Sequence, residues 1–172
     1  MSAPDALVLL RALAGIPVFV LLGANQPTFA LLIFVAAALS DALDGFLARR
    51  SGTAGPRGAL LDPLADKALV VLALAGISSA GLVAPAFAQL VALREGTVAA
   101  LRVVAYRRRV DVGAGIAGKI KTALELTAIA LLMIGRPPSV ISDAGVALLA
   151  IALVTGIGTL PMYIPHTKRT LT

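Results

Sequence analysis

The sequence predicts an all-α integral membrane protein with six transmembrane helices. Of its 172 residues, 59% are hydrophobic and only 14% are charged, whereas soluble domains are about half apolar and about a quarter charged. A soluble fold of this length could not bury so much apolar surface. The 16 glycines also favour packing between membrane helices, because small residues let two helix backbones approach closely.

Six apolar runs are long enough to cross a bilayer, which needs about 20 mostly apolar residues. Glycine and proline punctuate the breaks between these runs. The predicted helices cover residues 6–24, 28–50, 59–80, 83–106, 115–135 and 140–164. No gap between them is long enough for a second domain, so we expect a single transmembrane domain over residues 1–172.

The first apolar run is interpreted as a retained helix and not as a signal peptide. Asp5 precedes the run and Arg11 lies within it. A signal peptide would instead begin with a basic segment and end at a cleavage site of small residues.

Lysine and arginine predict the orientation, because cytoplasmic loops are enriched in both. With the N-terminus in the cytoplasm, the opposite side of the membrane holds only Arg136. The cytoplasmic ends and loops then hold Arg49, Arg50, Arg57, Arg107, Arg108, Arg109, Lys168 and Arg169. We therefore expect both termini in the cytoplasm of a bacterial cell, with the protein in its plasma or inner membrane.

Composition also excludes several classes of function. The chain has no cysteine, which excludes a disulfide framework, a thiolate nucleophile and a cysteine-ligated metal. The net charge of +6 fits cytoplasmic loops on an anionic leaflet or a site for anionic substrates, and needs no nucleic-acid partner.

Four of the nine acidic residues lie close together along the chain. Asp41 and Asp44 are three residues apart at the end of the second run, and Asp62 and Asp66 are four apart at the start of the third. Either spacing places both members of a pair on one helix face. Because the connection at 51–58 is short, we expect antiparallel neighbouring helices with both pairs on the cytoplasmic side.

These carboxylates predict a site for two divalent cations. A charge near the bilayer centre costs about 2.5–3.5 kcal/mol on insertion scales, and clustered like charges repel one another. Carboxylate oxygens suit Mg²⁺ or Mn²⁺. Two such ions, about 3.5–4 Å apart, would neutralise the cluster and could clamp a reacting phosphate.

Other interpretations of the aspartates remain open from the residues alone. Asp44 with Arg49, or Asp66 with Lys67, could form interfacial ion pairs. Buried carboxylates also line proton and cation pathways, so a cation transporter is an alternative from a different functional class. A non-catalytic membrane scaffold is a third.

The aspartates belong to a longer pattern, D-x2-D-G-x2-A-R-x8-G-x3-D-x3-D, which resembles the signature of the CDP-alcohol phosphatidyltransferase family. Its fixed positions are Asp41, Asp44, Gly45, Ala48, Arg49, Gly58, Asp62 and Asp66. The segments Leu93-Arg94-Glu95 and 118–122, with Arg102, are similar to the phosphatidylglycerophosphate synthases within that family.

The resemblance implies a metal-dependent phospholipid-synthesis enzyme, usually homodimeric, that transfers a phosphatidyl group from CDP-diacylglycerol to an alcohol and releases CMP. It implies that Asp41, Asp44 and Asp62 ligate metal, and that Asp66 is the catalytic base and also contacts metal. The same resemblance places the nucleotide lipid against Asp41, Gly45, Ala48, Arg49 and Gly58.

For the closest subgroup the implied acceptor is glycerol 3-phosphate, whose phosphate needs cations. The candidates are Arg57, Arg94, Arg102, Lys119 and Lys121, which could instead be positive-inside anchors. Sister enzymes would use phosphatidylglycerol, as in a cardiolipin synthase of this fold, or an inositol phosphate.

The two glutamates have separate interpretations. Glu95 either pairs with one of the neighbouring arginines or orients the acceptor. Glu125 is expected to make a polar contact within the membrane.

Overall fold

A computed structural model describes residues 3–51, 58–107 and 116–158, which form six α-helices and no strand. For 3–8, 41–51, 58–64, 66, 106, 116, 117 and 119 it describes the backbone alone. The helices are α1 (Ala3–Gly23), α2 (Pro27–Ser51), α3 (Gly58–Ser79), α4 (Pro85–Arg107), α5 (Ile116–Ile134) and α6 (Val140–Gly158).

The helices predicted from the apolar runs agree closely with those of the structure. The largest difference at a described end is in α1, which begins at Ala3 and not at residue 6. The final part of the last predicted helix, 159–164, lies outside the described residues. The all-α fold class is therefore confirmed over the part of the chain that the structure describes.

Helices α1 and α3 end in the same type of turn. After α3, Gly81 has a φ of 74°, its amide donates to Ser78, and the next amide donates to Ile77. After α1, Asn25 has a φ of 59° and the equivalent two amides donate to Leu22 and Leu21. Left-handed residues with this bond pattern terminate helices in the Schellman motif, which explains why glycine and asparagine mark these breaks.

Helix α3 lies at the centre of the bundle, in contact with α1, α2, α4 and α5, while α6 packs on α5 and α4. The α1–α3 contact is tight because it contains two glycines. A Cβ added at Gly15 would lie 2.7 Å from Leu72 Cδ1, and one added at Gly76 would lie 2.8 Å from Leu22 Cδ1. Glycine at these positions lets the two helices approach more closely than any larger residue would allow.

The distribution of polarity differs from that of a soluble protein in two respects. Large apolar side chains such as Leu93 and Val154 are 68% and 69% exposed, whereas Arg11, Glu95 and Glu125 are buried. Extended exposed apolar surface marks a face that meets lipid or a partner. Charged side chains within membrane segments, in turn, almost always face the interior of the bundle.

Of the helices in the described ranges, α6 is the one that is both long and apolar enough to cross a bilayer by length and composition. Leu9–Gly23, Pro27–Ser40 and Lys67–Ser79 are shorter apolar stretches. Charged residues interrupt the others, most clearly in α4 and α5. Six spans therefore remain a prediction.

Candidate active site

The acidic motif lies on two helices that contact each other. Helix α2 runs unbroken through Asp41 and Asp44, and α3 carries Asp62 and Asp66 near its start. At about 1.5 Å of rise per residue, all four positions lie within about 15 Å of the helix ends that flank 52–57. The side chains of the four aspartates, and those of Gly45, Ala48, Arg49 and Gly58, lie outside the described residues.

The residue types of this motif fit a divalent cation. Magnesium and manganese take carboxylate oxygens in preference to softer ligands, and two contacting helices supply four carboxylates. Among the side chains that the structure describes, no group of three acidic, histidine or cysteine residues could hold a metal ion. The four aspartates of the motif are thus the candidate metal ligands that the sequence predicts.

Beside the motif lies a buried cluster of charges centred on Glu95 of α4. The Glu95 side chain is 0% exposed. Its Oε2 accepts a hydrogen bond from Lys67 Nζ of α3, and its Oε1 accepts from Lys121 Nζ of α5. The same Oε1 accepts from Arg94 Nη1 at 2.6 Å. We call Lys67, Arg94, Glu95, Lys121 and Glu125 the Glu95 cluster.

Two further bonds complete the Glu95 cluster and extend it to α6. Lys121 Nζ donates to Glu125 Oε2 at 2.5 Å, one turn along α5. Arg94 Nη2 donates to the carbonyl oxygen of Gly156 at 2.8 Å. The cluster therefore joins α3 to three other helices through charge-assisted hydrogen bonds, which are stronger than neutral ones.

The Glu95 cluster contains three cations and two carboxylates, which leaves a formal charge of +1 if all five are ionised. Buried ions are stable only when they are paired and hydrogen-bonded, and removal of one partner from a buried pair costs about 3–5 kcal/mol. The arginine and lysines of this cluster are side chains of the type that binds phosphate.

The structure brings together two of the five cations expected to bind the acceptor. Arg94 and Lys121 are buried and meet at Glu95. Arg102 lies two turns beyond Arg94 on α4 and is partly buried. The side chain of Lys119 and the whole of Arg57 lie outside the described residues.

The expectations for the two glutamates are confirmed where the structure describes them. Glu95 pairs with the neighbouring Arg94, as one of its two interpretations held. Glu125 makes a buried polar contact with Lys121, and its position within the membrane remains a prediction.

Lys67 is a member of this cluster that the sequence did not predict. Its ion pair with Glu95 joins residues 28 positions apart. The sequence held one signal of this pairing. Lys67 and Glu95 each interrupt an apolar run, and a charge within such a run needs a partner. The sequence does not say which of several cations that partner is.

With the geometry established, comparison with known proteins decides the family. A model of the CDP-alcohol phosphatidyltransferase family matches residues 1–158 of the chain. The chain belongs to this family. CDP-alcohol phosphatidyltransferases are membrane enzymes that use divalent metals, and the chain is accordingly a phosphatidyltransferase.

Curated bacterial relatives match almost the whole chain. The CDP-diacylglycerol–glycerol-3-phosphate 3-phosphatidyltransferase of Escherichia coli (strain K12) is 36% identical over 180 residues, which cover 99% of this chain and 97% of the relative. The protein of the same name from Shigella sonnei shows the same identity and coverage. That from Salmonella typhimurium is 36% identical over 173 residues, or 95% of this chain and 93% of the relative.

Proposed function

We propose that this phosphatidyltransferase uses glycerol 3-phosphate as its acceptor in phospholipid biosynthesis. It transfers the phosphatidyl group of CDP-diacylglycerol and releases CMP. The observation that carries this proposal is the 36% identity, over 99% of the chain, to a relative with that activity in its name. The arginine and lysines of the Glu95 cluster, side chains of the type that binds phosphate, support a phosphorylated acceptor.

The proposed metal ligands are Asp41, Asp44, Asp62 and Asp66, holding two Mg²⁺ or Mn²⁺ ions. Their positions at the ends of two contacting helices support this assignment. When bound, the ions neutralise the charge of the diphosphate and of the reacting phosphate oxygens.

The nucleotide lipid is proposed to lie along α2, against the residues that follow the first aspartate pair. Gly45 and Ala48 lack bulk, so the cytidine diphosphate group can approach the helix. Arg49 neutralises diphosphate charge, and its planar fork suits phosphate. Gly58, the first residue of α3, leaves the opposing side open.

Asp66 is proposed as the general base. It accepts the proton of an acceptor hydroxyl, whose oxygen then attacks the lipid-side phosphorus of CDP-diacylglycerol. The bond from that phosphorus to the bridging oxygen breaks, and CMP leaves with the electron pair. As in other phosphoryl transfers, catalysis depends mainly on positioning and charge stabilisation.

The acceptor's phosphate is proposed to bind the cations on the later helices. Arg94 and Lys121 already converge at Glu95, and both are side chains of the type that binds phosphate oxygens. Arg57, Arg102 and Lys119 complete the proposed set.

Purified protein supplied with radiolabelled CDP-diacylglycerol and separate acceptors tests the function. We expect CMP release and phosphatidylglycerophosphate with glycerol 3-phosphate. Product formation with phosphatidylglycerol or an inositol phosphate alone would assign the chain to a sister activity. Ion flux in proteoliposomes without CMP release from any acceptor would favour a cation transporter.

We also propose a single domain of six spans in a bacterial cell membrane, with the active site and both termini in the cytoplasm. Because the chain has no cysteine, single cysteines report sidedness without background. A membrane-impermeant maleimide should label Arg136→Cys in intact spheroplasts but Arg107→Cys only after permeabilisation. The reverse pattern would contradict the orientation.

A homodimer is proposed from the family resemblance. Mass measurement of the protein in lipid nanodiscs tests this, with two copies per particle expected at low protein-to-lipid ratio. One copy per particle, with full activity, would contradict it.

A further inference from the structure

The two oxygens of the Glu95 carboxylate face different parts of the proposed enzyme. Oε2 accepts from Lys67, which follows the proposed base Asp66 directly in α3. Oε1 accepts from Lys121 and Arg94, two of the cations proposed to bind the acceptor's phosphate. One fully buried carboxylate therefore lies between the segment that carries the base and the cations for the acceptor.

We propose that Glu95 is a positioning residue of the transferase, which sets the acceptor-phosphate cations relative to the base on α3. This assignment rests on the proposed function and deepens it. Glu95 holds Lys67 of α3 on one side, while on the other side it holds Lys121 and Arg94. It acts through these cations and needs no contact with substrate.

The charge and length of Glu95 are both required for this arrangement. A neutral amide at this position would present an NH₂ group to one of the cations. Lysine and arginine can only donate hydrogen bonds, so two donors would face each other and that bond would be lost. An aspartate would keep the charge, but its side chain is one methylene shorter and could not hold α3 and α5 cations at once. Misplacement of a positioning group by about 1 Å can lower a rate about 100-fold.

A split between two Michaelis constants separates positioning from general support of the fold. In Glu95→Gln we expect the KM for glycerol 3-phosphate to rise at least about tenfold, with a lower kcat. The KM for CDP-diacylglycerol should stay within about twofold, because the proposed donor contacts are on α2 and at Gly58. Glu95→Asp should lie between wild type and Glu95→Gln.

The neighbouring Gly96 provides a matched control on the same helix, since an added Cβ there meets nothing within 4 Å. Gly96→Ala should leave both KM values unchanged. Lys67→Met should reproduce part of the Glu95→Gln effect, and the double variant should lose less than the two single losses combined, because the residues act as one unit.

Glycerol 3-phosphate binding, measured by thermal shift on each purified variant, provides a second readout. We expect stabilisation by the acceptor in wild type and its loss in Glu95→Gln. If Glu95→Gln does not fold, Glu95→Asp and Lys67→Met carry the same test.

Unchanged KM for glycerol 3-phosphate in folded variants would overturn the assignment, and so would an equal rise in both KM values. A wild-type protein that forms no product from glycerol 3-phosphate would refute the proposed function itself. The wild-type protein in the same assay distinguishes the two failures, because it forms product in the first case and none in the second.

Discussion

The guanidinium of Arg94 on α4 lies directly against Gly156 on α6 and donates from Nη2 to its carbonyl oxygen at 2.8 Å. The contact leaves no room for a side chain at position 156. A Cβ added there would lie 2.6 Å from Arg94 Nε and 2.8 Å from Nη2. The lack of a side chain at Gly156 therefore leaves the space that the Arg94 guanidinium occupies.

Gly156→Ala should displace the Arg94 guanidinium while the fold survives. The atoms in conflict are at the far end of a flexible side chain, so they can shift, and alanine is favoured over glycine in a helix by about 0.5–1 kcal/mol. We expect the KM for glycerol 3-phosphate to rise about threefold to tenfold with little change in melting temperature.

Gly158→Ala is the matched control, because an added Cβ there meets nothing within 4 Å. It should leave both melting temperature and KM close to those of wild type. Equal kinetics in Gly156→Ala and wild type would contradict a role of Arg94 in acceptor binding.

Gly15→Ala should destabilise the bundle where Gly156→Ala does not. Its added Cβ would lie 2.9 Å from Leu72 Cβ and 3.3 Å from the Leu69 Cα, and these atoms cannot move without moving α3. We expect a loss of about 1–3 kcal/mol, the usual cost of overpacking. Thermal unfolding in detergent measures it, with Gly96→Ala as a mid-helix control that should not destabilise the protein and should gain up to about 0.5–1 kcal/mol.

Asp66→Asn should abolish CMP formation with little effect on folding. Asparagine has nearly the same shape but cannot accept the acceptor's proton. A fall in kcat of about 100-fold or more is expected. Asp143→Asn, at the exposed start of α6, should retain activity. Near-normal turnover by Asp66→Asn would favour a scaffold over an enzyme.

Chelation of divalent cations should stop the reaction reversibly. With the metals removed, the four carboxylates of the motif repel one another and the diphosphate is not neutralised. Activity should return with Mg²⁺ or Mn²⁺ when CMP release is followed after dialysis against EDTA. Full turnover in the presence of chelator would contradict the proposed metal site.

The helix pattern was predictable because proline and glycine punctuate the chain. Pro27 and Pro85 begin α2 and α4, in the first helical position that proline favours. The apolar runs alone do not establish that each of the six helices crosses a membrane, however. They do not show that Arg94, Glu95, Lys121 and Glu125 are buried inside the bundle, which depends on tertiary packing.

The site was predictable only where its residues are close in sequence. The spacing of Asp41, Asp44, Asp62 and Asp66 follows local helix geometry and carries a family signature. The pairing of Lys67 with Glu95, and of Arg94 with the Gly156 carbonyl, joins distant segments. Such pairs follow from how the helices dock, and docking is not encoded in any local pattern.

The Glu95 cluster has a consequence for how the chain is made. When α4 leaves the ribosome, Lys67 has already been synthesised, but Lys121 and Gly156, which satisfy Glu95 and Arg94, have not. Adjacent opposite charges on a lone helix are poorly tolerated in hydrocarbon. Under the proposed topology, we therefore expect α4 to insert stably only once α5 and α6 have been made, so that the later part of the polypeptide completes the insertion of the middle.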